Sequence, residues 1–129
     1  MRSFVAAAVQ FAVEPMDVKE NLSRAEMWVD RCVKESQAEL VVLPESFTTG
    51  FTPLGDAKDL WDAVSEIPGP LTDRGVQWAQ KMGIHLVFPT YERGPERGVV
   101  YNSAVLIGPS GILGVYRKTH PFPTERLEG

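Results

Sequence analysis

The chain has 129 residues and a formal net charge of −4, the size of one domain or part of one. Hydrophobic residues make up 43%, too many for a disordered tail. No apolar run reaches the roughly 18 residues a membrane helix needs. The acidic balance, with Lys and Arg scattered rather than striped, argues against nucleic acid as a partner.

Met1-Arg2 ahead of Phe4–Val9 has the beginnings of a signal peptide. The apolar run is short, and Gln10 and Glu14 follow it closely, so Phe4 to Phe11 is expected as a buried first strand. Glu14-Pro15 breaks it. Asp17 or Asn21 can then cap a helix to about Ser36, with Leu22, Ala25, Val29, Cys32 and Val33 as its apolar stripe. Leu40 to Leu43 is a second, fully apolar strand. A long Thr- and Gly-rich loop from Ser46 to about Asp59 follows, and loops of that length are often functional.

Ile67-Pro68-Gly69-Pro70 punctuates the chain. A second helix is expected after it, capped by Thr72, with Val76, Ala79 and Met82 inward and Gly83 as its stop. Ile84 to Phe88 is a third strand, and Gly94 to Gly98 is a turn. Val99 to Ile107 is a fourth strand, Pro109-Ser110-Gly111 turns the chain, and Ile112 to Lys118 returns in a hairpin. The order β-α-β-α-β-β-β makes an α/β fold with a mixed sheet, parallel early and antiparallel late.

Two apolar strand-like runs end in groups with chemical potential. Leu40-Val41-Val42-Leu43-Pro44 leads to Glu45, whose carboxylate leaves a dry strand end, a setting suited to general-base work. From position alone it can equally be an acid that starts a loop. Lys118 ends the fifth strand, where alternation puts it on one face with Tyr116, Gly114 and Ile112. A fixed ammonium there can stabilise an oxyanion, or it can be a solvated strand end. Glu125, past two prolines, can turn back onto Lys118.

Cys32 is the only thiol. Its place on the apolar stripe makes it a core residue and a poor nucleophile. A lone cysteine excludes an internal disulfide framework and, without an export signal, fits a reducing cytoplasm. His85 reads as a core or edge strand residue, while His120 lies near Lys118. The two histidines lack metal-ligand spacing. Gly108 to Gly114 is glycine-rich but joins two strands and lacks the Lys-Ser/Thr of a phosphate loop.

These landmarks together resemble the nitrilase superfamily of carbon–nitrogen hydrolases. The matching residues are Leu43-Pro44-Glu45 with Phe47 and Thr49-Gly50-Phe51, then Ile67-Pro68-Gly69-Pro70 and Tyr101-Asn102-Ser103-Ala104. Gly111 in the hairpin and Tyr116-Arg117-Lys118-Thr119-His120-Pro121-Phe122 complete the set. The resemblance implies half of a four-layer α-β-β-α sandwich: a mixed sheet with two helices on one face. It implies a Glu-Lys-Cys catalytic set acting on an amide, nitrile or carbamoyl substrate, with no metal or organic cofactor; the composition already argues against a nucleic-acid or membrane partner. Glu45 would be the base, Lys118 the oxyanion partner and Glu125 a supporting acid. Phe47, Phe51 and His120 are candidates for the pocket lining.

In that family the cysteine lies downstream of the lysine, and Cys32 does not match its position. Residues 1–129 are therefore expected to be a hydrolase domain cut short of its nucleophile, inactive alone and homo-oligomeric when complete. The inner sheet face is expected to be left open and apolar. The alternative is a non-catalytic interaction module of the same fold.

Overall fold

A computed structural model describes residues 2–51 and 57–122 of the chain. The elements are β1 (Ala6–Ala8), α1 (Val18–Ser36), β2 (Leu40–Val42), α2 (Ala57–Ala63), α3 (Pro70–Met82), β3 (His85–Arg93), β4 (Val100–Gly108) and β5 (Gly111–Arg117). They form one sheet of strand order β1-β2-β3-β4-β5. The first two pairings are parallel and the last two antiparallel, as the expected crossovers and hairpin require. The first strand is shorter than its apolar run. The short helix α2 is an addition to the two expected helices; most of it lies beyond the end assigned to the long loop.

Asp17, not Asn21, caps α1: its carboxylate accepts the Glu20 N–H at 3.1 Å. Asn21 instead turns inward, fully buried. Its side-chain amide donates to the carbonyls of Glu14 and Thr48 at 2.8 and 2.9 Å and accepts the Glu14 N–H at 2.7 Å. One buried side chain thus ties the start of α1 to the loop after Glu45.

Helix α3 begins at Pro70, one of the few residues suited to a first helical position. Thr72 lies inside the helix rather than capping it. Its hydroxyl reaches back to the Gly69 N–H and carbonyl, each at 3.1 Å. Gly83 ends the helix in the left-handed region, as expected. Gly75 is where α3 meets the sheet: a Cβ there would stand 2.8 Å from both Phe88 and Ile107. Only glycine lets the two layers approach this closely.

The sheet has one covered and one uncovered face. Val41, Leu86, Phe88, Val105 and Ile107 point to the helices and have no exposed surface. The register places Leu86 opposite Ile107 and Phe88 opposite Val105, so they share that face. Residues one step out of phase, such as Leu106 and Tyr116, point the other way and are exposed. The helices all serve one side, so the described residues leave the opposite apolar face open.

The β4–β5 hairpin carries an irregularity between Leu106 and Ile107. Ile107 pairs with Ile112, but Leu106 pairs with Gly114, leaving Leu113 as the extra residue of a bulge. This corrects the simple alternation. Ile112 packs against the covered core, while Gly114, Tyr116 and Lys118 belong to the other face.

Candidate active site

Glu45 follows β2 by three residues. Its backbone is held by what flanks it: the Leu43 N–H donates to the Val87 carbonyl at 3.2 Å, and Phe47 is sunk in the core. The chain reverses at Ser46, whose φ is +46° and whose carbonyl accepts the N–H groups of Thr49 and Gly50 at 3.3 and 2.9 Å. Thr48 Oγ1 lies 2.7 Å from Thr90 Oγ1, pinning the turn to β3. The carboxylate is thus carried on a tight, anchored turn rather than on a loose loop.

Lys118 arrives from the far edge of the sheet. Its N–H donates to the Asn102 carbonyl at 2.8 Å, extending the ladder one residue past β5. Its Nζ donates to Glu45 Oε1 at 3.1 Å and lies 5.3 Å from the Phe51 ring centroid. Asn102 Nδ2 donates to the same Glu45 oxygen at 2.9 Å. A cation and an amide therefore converge on one carboxylate oxygen, from residues 73 and 57 positions away. Glu45, Pro89, Asn102, Ser103, Ala104, Tyr116 and Lys118 line a cleft of about 230 Å³. It lies on the uncovered face, at the carboxyl end of β2 and beside the last residue of β5. This is where open α/β sheets gather ligands.

The described residues do not supply the dry environment expected for Glu45: its side chain is 50% exposed among them. The open face removes the second wall. A larger hollow of about 580 Å³, lined by Arg2, Phe4, Glu39, Leu40, Gly83, His85 and Leu106, lies elsewhere on that face and is open to solvent. Its polar content is the exposed Arg2–Glu39 ion pair and His85, so we place the chemistry in the smaller cleft.

Of the expected pocket residues, Phe51 is at the site and Phe47 is not. Phe47 has no exposed surface and packs edge-on against Phe88, with ring centroids 4.8 Å apart. The turn from Ser46 to Thr49 is buried throughout, and Phe47 fills the core from it rather than facing the cleft. His120 is exposed, with Nδ1 3.0 Å from Thr119 Oγ1. Glu125 lies outside the described residues. His85 starts β3 exposed on the uncovered face, not in the core.

Cys32 packs on α1 against the core. Burial first, and then the Glu35 carboxylate, push its thiol above the ordinary value, which disfavours the thiolate. Among the described residues no group of three or more His, Cys, Asp and Glu is placed to hold a metal. No described helix is long and apolar enough to cross a membrane.

The sequence profile of the carbon-nitrogen hydrolase family matches residues 5–129. The chain belongs to the carbon-nitrogen hydrolase family. A nitrilase from Pyrococcus abyssi is 36% identical over 122 residues, covering 94% of this chain and 45% of that protein. An omega-amidase from Xenopus tropicalis is 35% identical over 123 residues, covering 95% of this chain and 42% of that protein. The fold matches the crystal structure of a CN-hydrolase superfamily protein from Xanthomonas campestris. That match has a TM-score of 0.81 at 24% identity and covers 98% of this chain and 44% of the other. This carbon-nitrogen hydrolase chain therefore spans less than half the length of the relatives it matches, and its sheet with helices on one side corresponds to half of the family's sandwich.

Asn102 is the site residue that motif reading passed over. It stood inside Tyr101-Asn102-Ser103-Ala104 without a role of its own. Counting back from the Pro109-Ser110-Gly111 turn in an unbroken hairpin sets Arg117 opposite it. The bulge shifts the count by one and sets Lys118 there instead.

Proposed function

We propose that this chain contributes the acid–base and oxyanion groups of a hydrolase of non-peptide carbon–nitrogen bonds. The observation that carries the reading is the contact of Lys118 Nζ with Glu45 Oε1 at 3.1 Å, in a chain of this family. The substrate is a small amide, nitrile or carbamoyl compound, in keeping with the nitrilase and omega-amidase among its relatives. The thiol comes from a part of the protein other than residues 1–129, because Cys32 sits in the helix layer with a disfavoured thiolate.

Glu45 takes the proton of that thiol, and the sulfur attacks the carbonyl carbon. Lys118 stabilises the charge that develops on the oxygen. Protonated Glu45 returns its proton to the leaving nitrogen, ammonia or an amine departs, and a thioester remains. Glu45 then deprotonates a water, which attacks the thioester, and the acid leaves as the thiol is restored. With a nitrile, the sulfur adds to the C≡N carbon and Glu45 passes the thiol proton to the nitrogen, giving a thioimidate. A first water, deprotonated by Glu45, adds to it and ammonia departs to leave the thioester, which a second water hydrolyses. Asn102 holds Glu45 in line through its bond to Oε1. Glu125 supports Lys118, and Phe51 and His120 border the substrate.

The test uses the full polypeptide its gene encodes, assayed on short aliphatic amides, nitriles and carbamoyl compounds. Glu45→Gln and Lys118→Met each lower kcat by about 100-fold or more, with an unchanged circular dichroism spectrum. Cys32→Ala leaves hydrolysis intact. Undiminished hydrolysis by the Glu45 variant overturns the reading. Absence of hydrolysis of all three compound classes by the folded wild type shifts it to an interaction module.

A further inference from the structure

Behind the cleft, on the covered face, lies a second polar cluster that the proposed reaction does not use. Glu92 of β3 is almost wholly buried. Arg117 of β5 grips it with two bonds, Nε to Oε1 at 2.9 Å and Nη2 to Oε2 at 2.8 Å. Ser103 of β4, between them, donates to Oε1 at 2.8 Å. The Arg117 guanidinium also stacks 4.1 Å from the Tyr101 ring centroid. The cluster spans three strands: Glu92 stands opposite Tyr101, one step along the same face from Ser103, which stands opposite Arg117.

Its members are the chain neighbours of the cleft residues. Tyr101 and Ser103 flank Asn102, and Arg117 precedes Lys118. Because side chains alternate across a sheet, fixing those three on one face aims Asn102 and Lys118 at the other. The need for such fixing is specific to this hairpin. β5 is an edge strand, and the bulge at Leu113 already admits two ways of counting residues from the turn. A slip of one residue would turn Lys118 away from Glu45 and present Arg117 instead. Arginine and lysine are not equivalent for Glu92. Only the planar guanidinium can give two parallel bonds to a carboxylate.

We propose that Glu92, Ser103 and Arg117 form a register lock that selects the hairpin pairing in which Lys118 and Asn102 meet Glu45. They are positioning residues, acting through the strands and not on substrate. The kinetic consequence rests on the hydrolase reading above; the structural consequence does not.

The experiment compares the full polypeptide with two variants, Arg117→Lys and the triple replacement Glu92→Leu, Ser103→Ala and Arg117→Met. The triple variant removes every polar member together, so no buried charge is orphaned and the fold is kept. Amide hydrogen exchange is followed at Lys118, whose N–H is bonded to the Asn102 carbonyl, and along α1. Both variants exchange roughly tenfold faster at Lys118, with α1 unchanged. In both, kcat falls about 10- to 100-fold with KM little altered, the effect of a misplaced group rather than a lost binding contact. Unchanged exchange at Lys118 overturns the lock, as does equal acceleration in α1, which marks ordinary destabilisation. If exchange at Lys118 rises while Glu45→Gln remains fully active, the lock stands and the hydrolase reading fails.

Discussion

Val105 and Leu106 are adjacent on one strand and live in different worlds. Val105 has no exposed surface, sealed under the helices beside Phe88, whereas Leu106 is 41% exposed. The same contrast holds along β3 and β4, whereas on the edge strand β5 even Val115, opposite Val105, is 44% exposed. The covered face is a finished core, with Phe47, Phe88 and Trp78 in contact. The uncovered face is equally apolar in places but has nothing against it among the described residues. The lesson is that the packed core and the candidate site lie on opposite faces of the sheet. The covered face holds the chain together, and the uncovered face carries the Glu45–Lys118 contact.

The sharpest test of that division is truncation of the covered core in the 129-residue chain. Phe88→Ala costs about 3–5 kcal/mol by thermal or denaturant unfolding. Val105→Ala costs about 1.5–3 kcal/mol. A near-neutral Phe88→Ala would mean that the covered core is not the source of stability. Gly75→Ala drives a Cβ into Phe88 and Ile107 and costs about 1–3 kcal/mol through overpacking.

Acid titration probes the polar cluster on the covered side. The Arg117 guanidinium holds the Glu92 carboxyl below its ordinary 4.5; burial opposes this and the Ser103 hydroxyl adds to it. The unfolded chain therefore binds that proton first as pH falls. The stabilisation is complete above the ordinary value and is lost as pH drops from there through the lower folded value. Glu92→Gln flattens this acid limb in a melting-temperature profile. An unchanged limb removes Glu92 from the account of acid stability.

The smallest stability change is expected on the other face. Leu106→Ser alters stability by less than about 0.5 kcal/mol. It does reduce the binding of an apolar dye, which the native 129-residue chain takes up before it unfolds. A cooperative melt with no dye bound beforehand would show the face to be sheltered in solution.

Local order was legible in the sequence wherever one short-range rule governed it. The 3.6-residue stripe Leu22-Ala25-Val29 marked α1, Gly83 marked the end of α3, and the Pro109-Ser110-Gly111 turn marked the hairpin. The runs ending at Glu45 and Lys118 marked two of the three groups now seen in contact. The motifs in register named the family before any geometry was known. Each of these depends on chain neighbours, which a sequence displays directly.

Only the tertiary structure decided the rest. It chose Asp17 over Asn21 as the cap of α1 and made Asn21 a buried tie, packed Phe47 into the core, and added Asn102 to Glu45. It also set Lys118 on its face through a single extra residue at Leu113. These outcomes depend on cross-strand register and on which side of the sheet is covered. A shift of one residue reverses every side chain downstream, and composition and motif spacing are unchanged by it.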